Sequence, residues 1–370
     1  MSNAMTCKDA QTASSQLDEE ADRLGAGAFV ATADDKADLV CNELSYGYLG
    51  GIDRDLIRAQ IKNHMLYFAG QFEEARESSS LLVDSPVPAI ALVALTTRFA
   101  CCVQINEPDA AYADFLKACD LVVEGLAQAE DHELYITSFF CAMRLENILA
   151  ATLFDLPEMP DGLGDIPIGP SAYFGYQHVI RYLRQRRFPE AAGMAYAFLT
   201  VADPRFPTAR VYLHLASAVS DLASGNPRRA VERFGEAWEL KERYGIVAPF
   251  VELCSGLMGL PRQYFPSHDT EEFRRMEQLV CRYRRGWHGL RDRCGFTSES
   301  ESLTELEVYC AGLVCLGWRN KEIAAHLNIS ENTVKHYLSS VYQKLHVSNR
   351  AQMQAFFEDR GASRKYGSQS

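Results

Sequence analysis

Four short breakers at near-regular spacing constrain the fold of this chain more than any other feature. They read Gly70-Gln71-Phe72-Glu73-Glu74-Ala75, Asn106-Glu107-Pro108-Asp109-Ala110-Ala111, Arg187-Phe188-Pro189-Glu190-Ala191 and Gly225-Asn226-Pro227-Arg228-Arg229-Ala230. Most place a proline or an acid in the first turn of the helix that follows, where a missing amide costs nothing and negative charge is favoured. Their closing alanines lie 36 residues apart (75 to 111), 80 apart (111 to 191) and 39 apart (191 to 230). A period of 36 to 40, with one unit obscured in the double-length gap, is the signature of a helical repeat. Two copies are best defined, Ala111-x3-Phe115-x2-Ala118 and Ala230-x3-Phe234-x2-Ala237. Small alanines let paired helices touch, and the phenylalanine fills the joint between neighbours. The chain from Ile52 to about Leu260 is therefore expected to fold as helix pairs.

Residues 1–26 read as a tag remnant, Ser2-Asn3-Ala4 ahead of Met5, and a polar flexible arm. A helical pattern starts at Asp34, with Leu39, Val40 and Leu44 on one face and Gly50-Gly51 as its stop. Leu156 to Pro170 carries four prolines and three glycines and predicts a loop. Such a loop serves either as a lid over a concave surface or as a connector across the disrupted repeat. Nothing reactive flanks it, which points to the connector. Asp269 to about Cys294 reads as one long helix, apolar at Phe273, Met276, Leu279, Val280 and Tyr283 and bearing seven arginines. Those arginines suit a basic surface beside nucleic acid or a face packed on acidic repeats. Gly295 to Ser302 reads as a flexible linker.

At 370 residues, 47% apolar and 23% charged, the chain has the composition of a soluble globular protein with more than one core. Its best apolar run, Val87 to Leu95, is too short to span a bilayer, and no basic-then-apolar secretion signal opens it. A cytoplasmic location is expected, with no membrane partner. Eleven cysteines include no Cys-x-x-Cys pair; Cys141, Cys254, Cys310 and Cys315 sit in apolar helical patterns, where a thiol packs as a small hydrophobe. Cys101-Cys102 invites a redox role, but inert buried thiols fit a reducing compartment better. The nine histidines form no ligand array, so no metal and no cofactor is expected. Net charge is −12, yet residues 303–370 hold eight basic and six acidic side chains, leaving +2 there and −14 on the rest. Phosphate would be repelled by the body, so only the C-terminal segment is a sensible docking face, and a weak one unless doubled.

In that segment Ile323, Ala324 and Leu327 share one helix face. Ser330 is placed to cap a second helix, whose apolar stripe is Val334, Leu338, Val341 and Leu345. Only three residues separate the two, and Asn328 tolerates the left-handed backbone that so tight a turn needs. These features describe a helix-turn-helix whose second helix, 331–345, suits a DNA major groove. Thr304 and Glu307 form a capping box ahead of it.

The motifs Leu303-Thr304-x-x-Glu307, Gly317-x-x-Asn320-Lys321-Glu322-Ile323-Ala324, Ile329-Ser330-x-x-Thr333-Val334-Lys335, Lys344-Leu345-x-Val347 and Arg350 resemble the LuxR-type domain. That resemblance implies four packed helices that bind double-stranded DNA, as a homodimer, to control transcription. It implies groove contacts by Lys335 and the positions of His336 and Ser339, with Tyr337 beside them. Asn320, Lys321, Ser330, Thr333, Lys344 and Arg350 are implied around the sugar-phosphate backbone. The last helix, from Asn349 to about Phe357, is expected to expose Met353, Phe356 and Phe357 as a dimer seam. The sequence departs from the family where Tyr337 replaces a histidine, Leu306 an arginine, and Tyr309-Cys310-Ala311 a Glu-Val-Leu type run. The upstream breakers are similar to tetratricopeptide repeats at a few positions only.

The expected architecture is all-α: a tetratricopeptide-like solenoid followed by a four-helix LuxR-type helix-turn-helix domain. The segments are the arm (1–26), a repeat domain that senses or interacts (27–265), a basic connector helix and linker (266–302), the DNA-binding domain (303–362) and a tail (363–370). No catalytic residues are expected: there is no Gly-x4-Gly-Lys-Ser/Thr loop, no Gly-x-Ser-x-Gly elbow, and Gly162-x-Gly164 follows no strand. Two readings remain. One is a transcriptional regulator whose repeats sense an unknown peptide, protein or small molecule. The other is an interaction scaffold whose terminal helices bind a protein.

Overall fold

The computed structural model describes residues 54–156, 168–201, 207–265, 270–296 and 303–359. The arm, the pattern from Asp34 to Gly51, positions 157–167, the linker from 297 to 302 and the tail lie outside them. Seventeen helices and no strand are found among the described residues.

The four breakers are turns inside helix pairs: α1 (Arg54–Phe68) with α2 (Phe72–Ser80), and α3 (Pro88–Gln104) with α4 (Pro108–Leu126). After a single helix, α5 (His132–Leu149), come α6 (Ile168–Arg184) with α7 (Phe188–Val201), and α8 (Pro207–Ala223) with α9 (Pro227–Tyr244). Each turn closes in the same way. Gly70, Asn106, Arg186 and Gly225 take φ of 79, 63, 58 and 77°. The next amide bonds back five residues, as Gln71 does to the Leu66 carbonyl at 2.9 Å and Asn226 to that of Asp221 at 2.8 Å. This closure satisfies carbonyls that a helix end would otherwise orphan.

The double-length gap between the second and third breakers has a physical explanation. α5 ends in the same closure, with Ala150 at φ 51° and the Ala151 amide 3.1 Å from the Glu146 carbonyl. The chain then stays non-helical through Leu156. The buried Glu146 carboxylate captures the Leu153 and Phe154 amides at 2.9 and 3.0 Å and pairs with Arg184 at 3.5 Å. Ile168 to Pro170, expected in the loop, already belong to α6.

Each helix from α1 to α9 packs on the next, and first helices of neighbouring units stack directly: α1 on α3, α3 on α5, α6 on α8. Ala75, Ala111, Ala191 and Ala230 are fully buried, and Phe115 and Phe234 are buried with them, so the small-and-large spacing is used for interdigitation.

After α9 the chain turns inward as a strap of three short helices, α10 (Ala248–Glu252), α11 (Cys254–Leu257) and α12 (Leu260–Tyr264). The Val247 amide bonds the Phe68 carbonyl at 2.7 Å, tying the strap to the first hairpin. The arginine-rich helix α13 (Glu271–Arg293) is capped by Thr270, whose hydroxyl accepts from the Phe273 amide at 3.2 Å. It lies on α3 and α4, so close that a Cβ on Gly286 would sit 2.1 Å from the Val103 carbonyl oxygen. Arg282 pairs with Glu73 and Arg293 with Asp109. Trp287 Nε1 and Arg291 donate to the Ile148 and Leu149 carbonyls that end α5. For these arginines the packed reading holds, and the connector helix is part of the body.

The chain closes with α14 (Glu305–Cys315), α15 (Asn320–Leu327), α16 (Glu331–Lys344) and α17 (Arg350–Asp359). A single apolar core runs from Phe234 and Phe250 through Leu257 and Leu260 into Tyr309, Leu313, Ile323, Val334, Leu338 and Met353. The C-terminal helices are thus continuous in packing with the last hairpin, although the sequence predicts a boundary between them. No helix is long and apolar enough to cross a membrane among the described residues. The nine described cysteines are free; Cys101, Cys102, Cys119, Cys141, Cys254 and Cys310 are buried, whereas Cys281 is exposed and Cys315 half-buried. Burial pushes the Cys102 thiol up to about 12, as an inert thiol requires.

Candidate nucleic-acid interface

The turn between α15 and α16 is built as its residues dictate. Asn328 takes φ 54° and ψ 48°, and the Ile329 amide reaches back to the Ala324 carbonyl at 3.0 Å. Ser330 caps α16, its Oγ accepting from the Thr333 amide at 3.0 Å and lying 2.8 Å from Thr333 Oγ1. Val334, Leu338, Val341 and Leu345 are buried, which turns Lys335, His336 and Ser339 outward, all exposed. Tyr337 is half-buried against the core, edge-on to the His336 ring at 6.1 Å. Lys321 is exposed and Asn320 half-buried at the start of α15, where the helix dipole favours negative charge and the Glu322 carboxylate accepts from the Arg319 amide at 2.6 Å.

Three expected positions do other work. The Lys344 ammonium lies 2.7 Å from Glu307 Oε2. Arg350 donates to the Val314 carbonyl at 3.4 Å and to that of Trp318, so its guanidinium serves the end of α14, where orphaned carbonyls attract a cation. Met353, expected exposed in a seam, is fully buried in the core of the four helices. Only Phe356 and Phe357 remain half-buried at that surface. The period of α17 puts Met353 one turn from Arg350, on the face that Arg350 anchors inward.

Glu307 organises the domain. Its carboxylate accepts from the Thr304 amide at 2.6 Å, completing the expected capping box, and from Ser340 Oγ at 2.6 Å as well as Lys344. Despite burial, these partners pull its pKa down to about 2. The bonds fasten α16 to α14 and thereby fix the direction in which Lys335 and His336 point.

Sequence reasoning missed what holds the opposite side of the domain. The strap's turn, Met258 at φ 42° and Gly259 at φ 85°, inserts between α14 and α15. His326 Nε2 lies 2.9 Å from the Met258 carbonyl oxygen and Gln263 Nε2 donates to the His326 carbonyl. Arg186 Nη2 donates to the Cys315 carbonyl at 3.0 Å. Burial pushes the His326 imidazole pKa down, so at neutral pH it is uncharged and Nε2–H is the donor. The departure at Tyr309 is explained here: its ring is buried at this joint near Gly259, its hydroxyl donating to Glu305. That departure was the one signal in the sequence for the docking.

Residues 301–357 match the family described as bacterial regulatory proteins, luxR family. Over 51 residues the chain is 51% identical to the probable transcriptional regulatory protein SgaR of Hyphomicrobium methylovorum, a stretch that is 14% of this chain and 24% of that protein. The chain therefore spans about a quarter of the length of the curated relative it matches. No solved structure matches it significantly. The last four helices are a LuxR-family helix-turn-helix domain carried on an all-helical body.

Proposed function

We propose that the whole chain is a sequence-specific DNA-binding transcriptional regulator. α16 enters the major groove, with Lys335, His336 and Ser339 meeting base edges. Lys321, the α15 amides at Asn320, Ser330 and Thr333 meet phosphates. Two copies on adjacent half-sites, joined through Phe356 and Phe357, compensate for the small positive charge of one domain. The helical hairpins, tetratricopeptide-like in spacing, act as the sensor of a peptide, protein or small molecule. The observation that carries this reading is the exposure of Lys335, His336 and Ser339 while the body grips the opposite face, at His326 and Tyr309.

The test is duplex binding to fragments of the organism's own promoters, read by fluorescence anisotropy across ionic strengths. Binding should weaken steeply with salt, and Lys335→Glu should cost roughly ten- to hundredfold in affinity, about 1–3 kcal/mol, without lowering the melting temperature. Absence of salt-sensitive binding at every ionic strength defeats the reading. A scaffold that holds a protein on its terminal helices would keep that partner in the Lys335→Glu variant.

A further inference from the structure

Glu252 ends a helix of five residues, yet its carboxylate is held as a bound ligand would be. Oε1 accepts from the Tyr67 hydroxyl and Oε2 from the Tyr212 hydroxyl at 2.8 Å, and Arg144 Nη2 stands 3.8 Å from Oε1. These partners come from α1, α8 and α5, three helices far apart in the chain. Each is itself positioned. Tyr67 lies beneath the Arg144 guanidinium at 4.9 Å and accepts from Gln104 Nε2 at 3.3 Å, while Tyr212 stacks on Tyr176 at 4.0 Å. Both tyrosines are fully buried. Burial, and next the charge of Glu252, push the Tyr67 pKa well up, which keeps its hydroxyl a donor.

The element that delivers the carboxylate has little local stability. α10, α11 and α12 hold five, four and five residues, far below the length at which a helix stands without tertiary support. The same strap grips the reading domain at its other end through Met258, Gly259 and Gln263. A carboxylate in the interior of the array and the support helix of the helix-turn-helix are thus tied to one short segment.

We propose that Tyr67, Tyr212 and Arg144 form a carboxylate receptor inside the helical array, filled in this state by the chain's own Glu252, and that the effector is a small carboxylate-bearing molecule that takes its place. Two hydroxyl donors and a guanidinium suit a carboxylate and disfavour an amide, whose NH2 would face donors. Tyr67 and Tyr212 are fully buried and Arg144 nearly so, a depth that the surface of a folded protein does not reach. Displacing Glu252 frees α10, and with it the strap's hold on α15. The inference rests on the regulator reading above for its consequence, though not for the receptor itself.

The full chain with Glu252→Ala carries the receptor without its internal carboxylate, with acetate as the probe and acetamide as the uncharged control. Acetate should raise the melting temperature of this variant saturably, by about 2 °C at tenfold its dissociation constant. Acetamide should not, and adding Tyr212→Phe should abolish the effect. If acetate and acetamide act alike on the folded variant, the proposal is overturned. Should Glu252→Ala fail to fold, Glu252→Gln replaces it: hydrogen exchange over 248–264 and 320–327 should quicken by about tenfold, and unchanged exchange there overturns the proposal. Promoter binding by the same samples separates the two readings. Acetate binding with unaltered DNA affinity removes the effector role, whereas wild-type protein that binds no DNA defeats the regulator reading whatever acetate does.

Discussion

Glu307 shows how one side chain can be half legible. Its capping of Thr304 lies within four residues and follows from local helix chemistry, whereas its bonds to Ser340 and Lys344 join positions 33 and 37 residues away. Periodicity puts Lys344 near the outer face of α16, but only packing decides that a carboxylate waits beside it. Replacing this acceptor with Glu307→Gln should destabilise α14 to α17 by about 2 kcal/mol, from the weakened cap and the lost charge-assisted bonds. Urea unfolding of the C-terminal helices, followed by Trp318 fluorescence, measures it; an unchanged midpoint would refute the hub role. Because the folded pKa is about 2, below the ordinary carboxylate value, this stabilisation is full near neutrality and is lost as pH falls from about 4.5 towards 2. Arg186 is the complementary case. Three hairpin turns use Gly or Asn at the left-handed position, and this one uses an arginine that bonds the Cys315 carbonyl. Arg186→Gly should relieve about 1 kcal/mol of backbone strain while raising hydrogen exchange in α14, and slower exchange there would contradict that role.

At the scale of elements, the hairpins were readable because each breaker combines a stop with a helix start, and the burial of Ala75, Ala111, Ala191 and Ala230 follows from that spacing. The unit built on α5 was not readable, because Glu146 diverts the chain through bonds to amides seven and eight residues on. The strap was not readable either: helices of four and five residues carry no period. Its function can still be tested at one position. Gly259 combines φ 85° with a close neighbour, since an added Cβ would lie 2.5 Å from Leu327 Cδ2. Gly259→Ala should cost about 1–3 kcal/mol and should separate the helix-turn-helix from the body before unfolding it. Limited proteolysis should then release a fragment beginning near residue 297. A variant cleaved no faster than wild type would show that the turn does not hold the domain.

At the scale of the whole molecule, five buried or half-buried histidines among the described residues carry lowered pKa values. For His178, His214 and His288 burial is the first cause, and each falls to about 4 from a usual value of 6.5; His64 and His326 shift the same way. The unfolded chain therefore binds more protons than the folded one below 6.5, so stability is full above that value and declines towards pH 4. Each group contributes up to about 1.4 kcal/mol per pH unit in that window. Calorimetry at pH 7.5, 6 and 5 should show a falling melting temperature, and a flat profile would contradict the burial of these rings. The turns inside the helix pairs, the turn at Asn328, the cap at Ser330 and the outward face of Lys335 were determined by sequence alone, because period, capping and left-handed tolerance act within a few residues. Tertiary structure alone decided that Met353 is core, that the arginine helix lies on the hairpins, and that Met258, Gly259 and His326 lock the reading domain to the body. Those outcomes depend on which surfaces meet across long stretches of chain, and a local pattern carries no record of that.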